Sequence, residues 1–223
     1  MTAKLFIQAV TKFLIGFLLI GLLIFLPAGT LSFFNGWLLM GILFVPMFLA
    51  GIVMIFRRPD LLKSRLDAKE KQKDQSTVIK LSGLMFLAGF IVAGLDFRFG
   101  WSEMPQGVAI GASAIFLAGY ILYAEVLREN AYLSRTVQVQ ENQKVIDTGL
   151  YGIVRHPMYF ATLLLFLSMP LVLGSIYSFL IFLVYPFIIA KRIRGEEEFL
   201  EKELDSYREY KQKVRYRMIP FIW

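Results

Sequence analysis

Two polar clusters in a largely apolar chain hold residue types that could do chemistry. The first is Asp147-Thr148-Gly149-Leu150-Tyr151-Gly152-Ile153-Val154-Arg155-His156-Pro157-Met158-Tyr159, which contains the one histidine of the sequence. Gly149 and Gly152 permit a tightly turned backbone, and Pro157 suits the first turn of a helix, where its missing N–H costs nothing. Arg155 and His156 therefore belong at a helix N-terminus, where unpaired N–H groups and the positive dipole end favour a carboxylate or phosphate. Position alone equally suits Arg155 as a membrane-edge anchor and His156 as a cap. The second cluster is Lys191-Arg192-Ile193-Arg194-Gly195-Glu196-Glu197-Glu198. Arg192 and Glu196 share a helix face, and as a surface pair they would contribute only a few tenths of a kcal/mol. Brought together, cations at Arg155 and Arg192, carboxylates at Glu196 and Glu197, and His156 would suit a cofactor that carries both charges.

S-adenosylmethionine is such a molecule: its carboxylate suits a helix N-terminus or an arginine, and its ammonium and ribose hydroxyls suit carboxylates. Methyl transfer from a sulfonium neutralises a charge, so a poorly solvated site does not oppose it. A site at the bilayer edge also strips water from an anionic nucleophile. A carboxylate acceptor is already ionised at neutral pH and needs only a cation such as Arg192 to orient it. An amine acceptor would have to lose a proton, to Glu125 or His156. Glu125 draws notice because a carboxylate at the end of an apolar span is costly unless paired or hydrated; a salt bridge to Arg128, or snorkelling, explains it equally.

The elements that would position these groups are membrane helices. With 57% hydrophobic residues and a mean hydropathy of +0.60, the 223-residue chain is expected to be an all-α polytopic membrane protein. Its lack of cysteine excludes disulfides and thiol catalysis, and a single histidine argues against a histidine-built metal site, so no metal is expected. The net charge of +7 does not signal nucleic acid, because the basic residues flank apolar runs.

Apolar runs predict spans over about 5–26, 33–56 (kinked at Pro46), 78–95 and 108–127, the first read as a retained helix rather than a signal peptide. Leu61, Leu62 and Leu66, among basic residues, suit a short interfacial helix, followed by a solvated charged tract over 67–75. The apolar stretch 159–190 is too long for one ordinary span. Met169-Pro170 and Leu173-Gly174-Ser175 divide it into helices over about 157–171 and 175–191, joined by a tight turn; the alternative is one kinked helix.

Charge separates the two. Six spans with a cytoplasmic N-terminus place all 24 lysines and arginines but Arg98 on one face, as the positive-inside rule requires. Both termini are then cytoplasmic. Phe199, Leu200, Leu204, Tyr207 and Val214 recur at helical spacing and predict a C-terminal amphipathic helix, with residues 218–223 as an aromatic anchor. The chain divides into a four-helix region, 1–127, with a cytoplasmic loop 57–80, and a cofactor-binding subdomain, 128–223, containing the hairpin 157–191. Gly83, Gly89 and Gly94 permit close helix packing, within or between chains, and leave the oligomeric state open.

Gly149-Leu150-Tyr151, then Val154-Arg155-His156-Pro157-Met158-Tyr159, then Arg192 with Glu196-Glu197 and Leu200, then Tyr207, Tyr210, Val214 and Pro220-Phe221 resemble the C-terminal signature of the isoprenylcysteine carboxyl methyltransferase family. Related phospholipid methyltransferases share much of it. The resemblance covers roughly the last third, from Val145. Glu125-Val126-Leu127-Arg128 resembles a weaker family element, and 57–62 with 130–140 resemble bacterial relatives, which implies a bacterial inner membrane.

It implies an S-adenosylmethionine site built from Val145, Gly149, Leu150, Tyr151, Arg155, His156, Pro157, Tyr159, Glu196 and Glu197. It also implies an isoprenylated or lipid-like acceptor approaching from the lipid side near the catalytic candidates Arg192 and Glu125. Leu150, where the family often has proline, and Gly195 depart from the pattern. Three other readings stand beside it: a small-lipid N-methyltransferase; a membrane sterol reductase using NADPH, which residues 207–223 also resemble but Glu196-Glu197 disfavour; and a non-enzymatic scaffold.

Overall fold

The computed structural model describes residues 3–66, 73–133, 136, 139 and 143–223. Long aliphatic and aromatic runs form helices because no water reaches a bilayer interior to satisfy backbone groups. In chain order these are α1 (Ala3–Ala28), α2 (Phe34–Arg57), α3 (Pro59–Leu66), α4 (Lys73–Phe99), α5 (Gln106–Glu129), a 3-10 turn (Gly149–Gly152), α6 (Pro157–Val172), α7 (Ile176–Phe182), α8 (Tyr185–Glu203) and α9 (Tyr207–Lys213). Among the described residues there is no strand, and the architecture is all-α.

Among the described residues, five helical stretches are long and apolar enough to cross a membrane: α1, α2, α4, α5 and the α7–α8 run. The sixth expected span, α6, has 16 residues, about 24 Å of helix, and is shorter than an ordinary crossing. The chain nevertheless reverses after it. Leu173, Gly174 (φ 76°) and Ser175 make the turn, and the Tyr185 hydroxyl donates to Thr162 Oγ1 at 2.8 Å. The rings of Phe166 and Tyr185 pack edge to face. The stretch 157–191 is a hairpin, not one kinked helix.

Its returning limb differs from expectation in three ways. It is broken at Leu183-Val184, because Pro186 has no N–H to give the Phe182 carbonyl. Beyond the break α8 runs unbroken to Glu203, so Arg192, Glu196 and Glu197 ride on the membrane helix itself. The amphipathic helix expected to reach Val214 is interrupted at Leu204-Asp205-Ser206, where Leu204 is extended (φ −137°, ψ 95°); Asp and Ser favour such turns.

The short helix expected around Leu61, Leu62 and Leu66 is α3, with Leu61 and Leu62 buried. The loop expected over 57–80 is shorter than that, because α4 already begins at Lys73. Gln75, expected in a solvated tract, is 2% exposed. Most of that tract, 67–72, lies outside the described residues.

The bundle has two unlike ends. At one, Asp96 is buried near the end of α4 and accepts from the Ser102 N–H and hydroxyl at 2.7 Å each and from Ser175. This ties the hairpin turn to the α4–α5 connection, with Arg98 lying against Gly29 nearby. At the other end Lys12 donates to the Leu66 carbonyl, Arg65 to the Tyr123 hydroxyl, and the polar segments gather. One core of Ile24, Leu39, Phe90, Phe116, Phe182 and Ile193 draws on both sides of residue 127.

Two of the glycines serve packing within the chain. A Cβ on Gly94 would lie 2.5 Å from the Ile24 carbonyl of α1, and one on Gly89 would strike the Phe182 ring, whereas one on Gly83 would meet nothing within 4 Å. Gly94→Ala is expected to cost about 1–3 kcal/mol through overpacking and to lower the thermal midpoint in detergent. Gly83→Ala should leave that midpoint unchanged or raise it.

Candidate active-site cleft

The 3-10 turn is fastened from two sides. Glu129, the last residue of α5, accepts from the Leu150 N–H at 2.9 Å. Gly149 has φ 54°, and any Cβ there would collide with the Glu129 carboxylate; glycine meets both demands. Tyr151 is buried, its hydroxyl accepts from Asn130 at 3.1 Å, and its carbonyl accepts from the Tyr210 hydroxyl of α9 at 2.7 Å. Burial raises the Tyr151 pKa, which keeps the phenol neutral. Lys213 pairs with Asp147 at 2.6 Å, and that hydrogen bond holds the carboxyl below its ordinary range.

The start of α6 is held by the C-terminal segment. The Arg155 N–H donates to the Tyr216 carbonyl at 2.9 Å and the His156 N–H to the Arg217 carbonyl at 2.7 Å. The backbone donors of Arg155 and His156 are thus already used. The anion at this helix start is the protein's own Glu197. One of its oxygens accepts from Arg155 Nε at 2.7 Å and lies 3.2 Å from His156 Nε2; the other accepts from Arg217 Nε at 2.9 Å. Arg155 Nη1 also donates to the Val214 and Arg215 carbonyls. Arg155 and Glu197 are therefore committed to joining α6, α8 and the tail.

In front of this strut opens a cleft, part of it continuous with solvent. Of the residues expected at the site, Val145, Tyr151, Arg155, His156, Tyr159, Arg192 and Glu196 line it. Arg192 and Glu196 do not pair directly. Arg192 Nε donates to the Tyr159 hydroxyl at 2.9 Å, and that hydroxyl donates to Glu196. On its far side Arg192 Nη1 donates to Gln75 Oε1 at 3.2 Å.

Gly149, Leu150, Pro157 and Glu197 stand behind the lining, as turn, helix start and strut. Glu125 does not join the cleft. It points outward and accepts from Arg128 Nε at 2.8 Å, the pairing that α-helical i,i+3 spacing makes available.

Residues absent from the expected set are Gln75, Glu129, Arg217 and the lining residues Tyr207 and Tyr210. Tyr207 is distinctive: its buried hydroxyl has no hydrogen-bond partner among the described residues. Guanidinium, carboxylate, imidazole and phenol around one cleft, with one buried hydroxyl unpaired, fit a zwitterionic nucleoside such as S-adenosylmethionine. His156, Tyr159 and Glu196 are the side chains that would hold it.

Comparison with known proteins adds to this geometry. Residues 107–206 match the phospholipid methyltransferase family, a stretch running from α5 through the end of α8 and including Arg155, His156, Tyr159, Arg192, Glu196 and Glu197. A 91-residue stretch, 40% of the chain, is 29% identical to the Delta(14)-sterol reductase of Mus musculus. The chain spans about a fifth of that curated relative, 22% of its length. The apolar helices fit an integral membrane protein.

Proposed function

We propose that the chain is an S-adenosylmethionine-dependent methyltransferase that esterifies the carboxylate of an isoprenylcysteine-like or other lipid-like acceptor. The carrying observation is the Arg192–Tyr159–Glu196 array, which presents a cation and a carboxylate side by side on one wall of the cleft. The cofactor, when bound, supplies a methyl group on a sulfonium. Glu196 and Tyr159 offer acceptors to its ammonium and ribose hydroxyls, and Arg192 orients an incoming carboxylate. That acceptor is ionised at neutral pH and needs no general base.

An amine acceptor would need one, and Glu125 faces away while His156 is engaged by Glu197. The cleft thus favours O-methylation, although the matched family is named for phospholipids. The concentration of basic residues around the site end supports placing that end and both termini in the cytoplasm.

Calorimetric titration of detergent-purified protein with S-adenosylhomocysteine tests the cofactor. Binding in the low-micromolar range is expected, worth about 8 kcal/mol at 1 μM. Incubation with labelled S-adenosylmethionine and an S-prenylated cysteine analogue should then yield a base-labile methyl ester; a base-stable methylamine from an aminolipid would overturn the O-methylation reading. The second reading, a reductase using NADPH, is favoured by the sterol reductase relative. Glu196 in the cleft opposes it, since a phosphate-rich dinucleotide is repelled by a carboxylate. Folded protein that binds NADPH and ignores S-adenosylhomocysteine would put that reading first.

A further inference from the structure

Tyr207 opens α9 one residue beyond the stretch matched to the methyltransferase family. It is 4% exposed, packs against the Tyr210 ring at 5.7 Å and lines the cleft. Its neighbour shows what a purely structural phenol does here: the Tyr210 hydroxyl donates to the Tyr151 carbonyl at 2.7 Å and closes the turn. The Tyr207 hydroxyl has no such partner among the described residues. A buried hydroxyl left without a hydrogen bond is costly, and phenylalanine would fill the same volume without that cost. Burial, and after it the negative charges of Glu197 and Glu196, raise the Tyr207 pKa. The group therefore remains protonated and is available as a donor.

We infer that the Tyr207 hydroxyl donates a hydrogen bond to an oxygen or nitrogen of the adenosyl cofactor bound in the cleft, making α9 part of the cofactor site. This rests on the S-adenosylmethionine reading. It adds a ligand contact that comes from the C-terminal segment rather than from the α6 and α8 clusters.

The test is calorimetric titration of the full-length wild type, Tyr207→Phe and Tyr210→Phe with S-adenosylhomocysteine, each beside a ligand-free thermal melt. For Tyr207→Phe the ligand-free midpoint should be unchanged or raised, while the Kd for S-adenosylhomocysteine rises on the order of tenfold. Tyr210→Phe should lower the ligand-free midpoint, because it breaks a bond the protein already makes. If the wild type binds and Tyr207→Phe binds equally well, the contact is disproved and the cofactor reading survives. If Tyr207→Phe loses ligand-free stability as Tyr210→Phe does, the hydroxyl has an internal partner and the inference fails. If folded wild type does not bind, the cofactor reading itself fails, and the contact with it.

Discussion

Glu197→Ala is expected to cost about 3–5 kcal/mol of stability, the usual consequence of removing one partner from a buried ion pair. The Glu197 side chain is 3% exposed, and its two oxygens face Arg155, His156 and Arg217. Without it, two guanidinium groups lose their counter-charge, Arg155 among them at a side-chain exposure of 5%. The junction of α6, α8 and the tail should loosen as a unit. Cofactor binding would be lost with it, although Glu197 does not line the cleft.

Glu196→Gln separates structural from ligand effects. Glu196 is half-buried at the cleft wall and contacts Tyr159, so the amide keeps the shape and removes the charge. This variant should melt near the wild-type temperature and bind S-adenosylhomocysteine more weakly. Thermal unfolding in detergent beside calorimetry reads both; a Glu197→Ala protein as stable as wild type would show that the strut is not a strut.

Arg192→Lys is the second large effect. The guanidinium serves Tyr159 through Nε and Gln75 through Nη1 at the same time, a fork that a single ammonium on a flexible stem does not reproduce. Misplacement of an orienting group by about 1 Å can cost a hundredfold. The expected result is a fall of about 100-fold in kcat/KM for the prenylated acceptor, with S-adenosylhomocysteine affinity changed far less. Gln75→Leu should move activity in the same direction by a smaller factor, because it removes one of the bonds that hold the guanidinium. Arg192→Lys turning over at more than a third of the wild-type rate would remove Arg192 from the reaction.

What the sequence made legible were features with a local cause. Apolar runs announce their helices, and the Gly149-to-Pro157 pattern announces a turn leading into a helix start. Leu173-Gly174-Ser175 announces a reversal, because a positive φ at Gly174 is available to glycine at no cost. The convergence of His156, Tyr159, Arg192 and Glu196 followed from that reversal once the hairpin was preferred.

Partners far apart in the chain were not legible. Gln75 lies in a charged tract that composition assigns to solvent, and only the α4–α8 packing delivers it to Arg192, 117 residues away. Arg217 is one of many basic residues on the cytoplasmic face, and nothing local marks its pairing with Glu197, 20 residues away. Arg192 and Glu196 were spaced as a pair, yet a phenol from another helix stands between them. One local signal was simply passed over: Tyr185-Pro186 marks the break between α7 and α8.

The pairing of residues 154–156 with 216–217 also orders events during synthesis. Chains are elongated at about 5–20 residues per second from the N-terminus, so the apolar helices can enter the bilayer while the tail is still unmade. Until Val214, Arg215, Tyr216 and Arg217 emerge, Arg155 and His156 lack the carbonyls that hold their side chain and backbone, and Glu197 has Arg155 but not its second guanidinium partner. The cleft therefore matures only after this segment has been made, later than the apolar helices that carry its other walls.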